Sequence, residues 1–201
     1  MRKEKELRKI IIHSGGAVGA DYEWAKNALE KDSCYFVVNH SFYSHVPKID
    51  GLDYHRLHNR IHCVEELQHE AMQHIQIASN NMNRPIPSKN FYTQALVLRD
   101  WFQVEKSEAV FAISTLNKEE TNVIGGTAWA IECAKAKGLF ILVFDQLKES
   151  WYFFKYKENR FIKCKKDAPE GFIRQKNFKN ITCIGTRNIN QIGIKAIKNI
   201  L

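Results

Sequence analysis

The sequence lacks any CxxC pair, and its five cysteines (Cys34, Cys63, Cys133, Cys164, Cys183) are odd in number and widely spread. That spacing excludes a zinc ribbon and offers no disulfide framework, so a reducing cytoplasm is the expected compartment. No apolar run approaches the roughly 20 residues of a membrane-spanning helix. The charged opening, Met1 to Lys9, leads into an apolar stretch too short for a signal segment. Tandem repeats and low-complexity linkers are absent too. Histidine does not occur beyond position 74: all eight lie within the first 74 residues. His58 and His62 stand one helical turn apart, but no Glu follows His58 as an HExxH motif requires, and no third ligand is evident. Neither a metal nor a cofactor is therefore expected.

What is present suits one globular domain over 1–201. The chain has 201 residues, 44% hydrophobic and 26% charged, enough to close one sizeable core. The net charge of +8 favours anionic partners: nucleotides, nucleic acid or an acidic membrane surface. Residues 151–180 hold nine Lys/Arg against three Asp/Glu, so most of the surplus sits in one segment. The pattern there, Trp151-Tyr-Phe-Phe-Lys-Tyr-Lys157, predicts an aromatic and basic β insertion. It reads either as a surface for single-stranded nucleic acid or as a hairpin with aromatics inward and lysines in water.

Elsewhere strands alternate with helices. Ile10–His13 is a β-branched run, and Asp21–Glu30 has helical spacing; Cys34–Val38 reads as a strand and 39–54 as a loop. Leu57, Ile61, Val64, Leu67, Met72, Ile75 and Ala78 recur at helical steps, predicting one long helix over 55–79. A helix over 90–104, a strand at 109–113, a helix ending near Lys137 and a strand at 139–144 follow. The last unit is a strand at 181–184 and a helix capped by Asn188, with Ile189, Ile192, Ala196, Ile197 and Ile200 inward. This order predicts an α/β, Rossmann-like three-layer fold: a mostly parallel central sheet with helices on both faces.

Three strand ends lead through small-residue turns into helices: Ser14-Gly15-Gly16-Ala17-Val18-Gly19-Ala20-Asp21, Gly125-Gly126-Thr127 and Gly185-Thr186-Arg187. In a parallel sheet all three lie on the carboxyl edge, where ligands bind. Glycine lets backbone approach a phosphate, helix amides point at it, and Ser14, Thr127 and Arg187 can donate to it. Glycines also simply close tight turns, but three such turns on one edge predict an anion cleft. Asp21 suits either a helix cap or ribose binding. Asp145, at a strand end, suits a ribose contact or a turn. Asp100 is expected as a surface partner of Arg99. Trp24, Trp101 and Trp129 are expected to pack, with Trp129 close enough to a turn to stack a base.

The Gly-Gly-Ala-x-Gly-Ala-Asp run at 15–21 resembles the glycine turn of the SLOG superfamily, the Rossmann-like group that includes the LOG nucleotide phosphoribohydrolases and DprA. Its YspA-like and molybdenum-carrier-like members are the most similar. Gly125-Gly126-Thr127 followed by Ala-Trp-Ala-Ile-Glu132 resembles the superfamily's second turn. The resemblance implies a catalytic arginine, for which Arg99 stands in place, and a glutamate, for which Glu132 is nearest. The family's glutamate lies three residues after its Thr, whereas Glu132 lies five after Thr127, a rotation of about 200° on a helix. The family also places a Gly-Ser-Arg strand first, whereas Ile184-Gly-Thr-Arg187 comes last here; a circularly permuted sheet, with the final strand beside the first, accounts for that.

Three functions follow from these expectations. One is a sensor or sequestering module for a nucleotide-derived molecule, such as an ADP-ribose derivative or a cyclic nucleotide. Another is a nucleotide N-glycosidic hydrolase using Arg99 and a carboxylate. A third is single-strand binding in the manner of DprA. A homo-oligomer is compatible with all three, and a membrane partner with none.

Overall fold

The computed structural model describes residues 9–42, 54–62, 67–87 and 91–201. The charged opening, the expected loop at 43–53 and Cys63 lie outside them. Eight strands form one sheet, in the order β3-β2-β1-β8-β4-β5-β6-β7. They are β1 (Ile10–Ser14), β2 (Tyr35–Phe42), β3 (Leu57–His62), β4 (Ala109–Ser114), β5 (Phe140–Asp145), β6 (Ser150–Lys155), β7 (Arg160–Lys163) and β8 (Asn180–Gly185). The six strands from β3 to β5 are mutually parallel, and β6 and β7 extend the sheet as an antiparallel hairpin.

Helices cover both faces. Side-chain alternation along a strand splits the core in two. On β4, Ala109, Phe111 and Ile113 face one cluster while Val110 and Ala112 face the other. On the first side lie α1 (Ala20–Lys31), the single turn α5 (Phe172–Gln175) and α6 (Gln191–Ile200). Trp24, Ala25, Ala28 and Leu29 of α1 pack there with Ile197 and Ile200 of α6. The second side holds α2 (Met72–Met82), α3 (Phe91–Val104) and α4 (Ala128–Ala136). Helix α4 is buried almost all round, because it lies between the sheet and the other two helices. The expected three-layer Rossmann-like α/β fold is the fold observed. No helix among the described residues is long and apolar enough to cross a membrane.

Three local expectations are corrected. Residues 57–62 are not helical: they form edge strand β3, paired in parallel with β2 from Val37↔Leu57 to Phe42↔His62. A ladder of backbone hydrogen bonds to a preformed neighbour outweighs the weak three-and-four periodicity of Leu57 and Ile61. The helix begins only after a π-helical turn at Leu67–Ala71. Correspondingly, β2 runs on to Phe42, past the expected loop start at 39. The cap of α6 is Asn190, whose side chain accepts from the Gly193 amide at 2.8 Å, rather than Asn188, and Ile192 is exposed.

The topology also fixes where a ligand can sit. From β1 the chain winds outward through β2 and β3, and from β4 it winds outward the other way through β5 to β7. Strand β8 returns to the middle, between β1 and β4. The carboxyl ends of β1, β8 and β4 therefore flank the switch point, where loops leave in opposite directions and a crevice opens.

Candidate functional site: three turns around one cleft

The three small-residue turns do meet. Ala17 and Val18 of the first, Gly125, Gly126 and Thr127 of the second, and Gly185, Thr186 and Arg187 of the third line one cavity of about 440 Å³. Its remaining wall comes from α3, through Thr93, Leu96, Arg99 and Asp100, and from Arg84 and Pro87 beyond the end of α2.

The glycines in these turns have two different jobs. Gly19 has φ +103, and a Cβ on it would fall 2.5 Å from the Arg187 Cα and 2.6 Å from the Thr186 carbonyl oxygen. A Cβ on Gly185 would lie 2.7 Å from that of Ala20. These glycines let the first and third turns pack backbone to backbone, and the Ala20 amide donates to the Thr186 carbonyl at 2.9 Å. Gly15 leaves room for Asp21 and Arg99: a Cβ there would stand 2.5 Å from Asp21 Oδ2 and 2.7 Å from Arg99 Nη2. Gly16 has φ +63, and its amide donates to Ser14 Oγ at 3.1 Å. By contrast, a Cβ on Gly125 or Gly126 would meet nothing within 4 Å. These two leave bare backbone facing open space, as contact with a phosphate requires.

Asp21 joins two turns. Its Oδ1 accepts from the Gly185 amide at 3.0 Å, and the Gly15 and Ala17 amides also stabilise it. The Ser14 hydroxyl, spent on the Asp21 carbonyl at 3.2 Å, is fully buried. Arg99 donates through Nη1 to the Gly15 carbonyl at 3.0 Å, tying α3 to the first turn.

Burial sets the charge of the cleft. It raises Asp21 to about 6, against the opposing pull of the Arg99 guanidinium and the backbone amides. Asp100 is 6% exposed, and burial raises it to about 8, with Arg99 opposing and Asp21 adding to the rise. Asp100 is thus a buried acid, uncharged at neutral pH, and not the expected surface partner of Arg99. Its Oδ1 accepts from Gln103 Nε2 at 3.3 Å. Three arginines, Arg84, Arg99 and Arg187, then face one ionised carboxylate, Asp21, and the cleft favours an anion.

Six expected site residues do not line the cleft: Ser14, Gly15, Gly16 and Gly19 build the first turn behind it, with the Ser14 hydroxyl buried rather than offered to a phosphate, and Glu132 and Asp145 stand elsewhere. Glu132 does not line the cleft: its Oε1 accepts from Asn122 Nδ2 at 2.8 Å and Lys135 Nζ at 2.6 Å, and its Oε2 from Asn81 Nδ2 at 3.3 Å. It lines a second cavity instead, which shares Arg84, Ile124 and Gly125 with the cleft. Asp145 is fully buried and accepts from the amides of Leu116, Leu147 and Lys148, closing the turn after β5. No carboxylate oxygen of Asp145 faces the cleft residues. Trp129 is buried at the cleft, with the Arg84 guanidinium 5.4 Å from its ring centroid.

Sequence reasoning missed Arg84, whose only signal was a lone arginine between a helix end and Pro85. It also missed a histidine array. His13, His40 and His62 lie on three adjacent strands; His13 Nδ1 is 3.0 Å from His40 Nε2, and His40 Nδ1 is 2.9 Å from His62 Nε2. His62 stacks on Phe102 of α3 at 4.1 Å between ring centroids, and His13 Nε2 reaches Asn180 Oδ1 at 3.2 Å. Neutral imidazoles, each with one N–H and one bare nitrogen, satisfy this chain in series. Burial, then the neighbouring His13 and His62, holds His40 down at about 2. Reading 57–62 as helix hid the array, since only a strand sets His62 on the same face as His40.

Comparison with protein-family models, with curated proteins and with solved structures returns no match.

Proposed function

We propose that the chain is a binding module for a nucleotide-derived small molecule, whose phosphate sits on the Gly125-Gly126 backbone between the first and third turns. The carrying observation is the convergence of three turns from separate strand–helix units on one cleft, with bare glycine backbone and three arginines on its walls. Binding is favoured over N-glycosidic hydrolysis because the carboxylates are already engaged. Glu132 lies in another cavity and Asp21 is held by backbone amides. The hydrolytic reading drew on a carboxylate to stabilise the positive charge that develops at the anomeric carbon. The single-strand reading has less support: Tyr152, Phe154 and Phe161 are buried in the cluster that includes α4 and Trp151 in the cluster on the other face of the sheet, leaving Tyr156 as the exposed large ring of the segment and little of the stacking platform that reading requires.

Calorimetric titration of the purified chain with AMP, ADP and ADP-ribose tests the proposal. We expect saturable binding that Arg187→Ala weakens by about ten-fold, the cost of one charge-assisted contact, with the nucleotide recovered intact. Release of free base, abolished by Arg99→Ala, would establish the hydrolase instead. Absence of binding to all three would remove the nucleotide assignment.

A further inference from the structure

The cavity that receives Glu132 is larger than the cleft, at about 820 Å³, and the two share Arg84, Ile124 and Gly125. The strip between them is as low as a polypeptide allows: Gly125 has φ +85 and no atom near where its Cβ would be. Arg84 spans it, donating through Nη1 to the Gly125 carbonyl at 2.8 Å and using only part of its donor capacity there.

The chemistry changes across this strip. On the cleft side the surplus is cationic. On the far side the floor is an ion pair, Lys135 Nζ to Glu132 Oε1 at 2.6 Å, with both side chains largely buried, so its charges cancel. The walls carry amides and a hydroxyl: Asn81 from the end of α2, whose Nδ2 donates to Glu132; Asn117 and Thr121 from the hairpin, where the Asn117 amide donates to the Thr121 hydroxyl oxygen; and Asn159 from the turn between β6 and β7. Phe154 and Tyr156 close one end. With Arg84 at the rim the lining carries one net positive charge, less than the cleft's three arginines against one carboxylate, while the Asn159 amide, the Asn81 Oδ1 acceptor and the Thr121 hydroxyl suit the hydroxyls of a ligand better than a second phosphate.

We infer that this cavity is a second compartment of the same site, taking an uncharged, hydroxyl-rich ring joined to the phosphate held in the cleft. The ligand class is then a sugar linked through phosphate to a nucleotide, lying across Gly125. This rests on the proposed nucleotide cleft, and its failure is separable from failure of that reading.

The test uses the full chain and paired probes: ADP against ADP-glucose, and UDP against UDP-glucose, so that the base does not decide the result. Ala136→Trp fills the second cavity from an exposed position at the end of α4, touching none of the hydrogen bonds described. Asn159→Gly removes one wall amide at a residue with φ +49, a conformation glycine adopts freely. The expected result is that each sugar-linked probe binds at least about ten-fold tighter than its parent diphosphate. Ala136→Trp should erase that advantage and Asn159→Gly reduce it, both leaving ADP affinity unchanged. Equal affinity of ADP and ADP-glucose for the wild-type chain, or an advantage that survives Ala136→Trp, overturns the second compartment alone. No binding of any of the four probes overturns the phosphate cleft and this inference with it.

Discussion

Asp100 offers the sharpest test of the cleft's electrostatics. A carboxyl raised from 3.8 to about 8 by burial keeps its proton in the folded chain while the unfolded chain gives it up. The sign follows from linkage: below 3.8 both states are protonated and nothing is lost, and stability falls as pH rises from there through the folded value. At pH 7 the gap is about three pH units, which at ~1.4 kcal/mol each amounts to about 4 kcal/mol of stability forgone. Asp100→Asn removes the titration while keeping an oxygen to accept from Gln103. The variant should match wild type near pH 4 and exceed it by about 2 to 4 kcal/mol at pH 7, read from urea unfolding followed by circular dichroism. A melting temperature higher by roughly 5–15 °C at pH 7 is the equivalent thermal readout for a chain of this size. If the variant is instead less stable than wild type at pH 7, Asp100 is ionised against Arg99 and the charge balance drawn for the cleft is wrong.

The histidine array predicts the opposite slope. Because burial depresses His40 from 6.5 to about 2, the unfolded chain takes up a proton below pH 6.5 that the folded chain refuses. Stability should therefore fall as pH drops through that window, by about 2 kcal/mol at pH 5 from this residue, and His40→Gln should flatten the dependence; parallel pH profiles for the two proteins would refute it. The two classes of glycine separate in a further comparison. Gly19→Ala places a methyl against the Arg187 backbone at positive φ and should cost about 3 kcal/mol or more, whereas Gly126→Ala enters open space and should leave stability within about 0.5 kcal/mol while weakening ADP binding. Equal stability losses at both positions, measured by urea titration, would contradict the division between turn-packing and ligand-facing glycines.

The main repeat was legible from short-range signals. Ile10–His13, Ala109–Ile113 and Ile181–Ile184 are short continuous β-branched or apolar runs, as a strand buried on both faces carries; the first and third run directly into small-residue turns, and the second reaches Gly125 only after the hairpin closed by the Leu116↔Val123 bridge. The aromatic and basic composition after Trp151 reads as a hairpin, but not which rings it buries; pairing with β5 puts Tyr152 and Phe154 on one face of the sheet and Trp151 on the other, with Tyr156 left exposed. Region 55–79 was misread because Leu57 and Ile61 fit a helical stripe, and nothing local records that β2 offers an unpaired edge.

Residue order alone determined the parallel α/β architecture, the turns at the carboxyl edge and the excess of positive charge, because hydrophobic period, glycine placement and composition act over a few neighbouring residues. Tertiary structure decided the rest. It put β8 between β1 and β4, turned Glu132 and Asp145 into framework, buried Asp100 as a neutral acid and lined up three histidines from separate strands. Each of those outcomes depends on which distant groups come within a few ångströms and on how much water is left around them, and a one-dimensional pattern carries neither quantity.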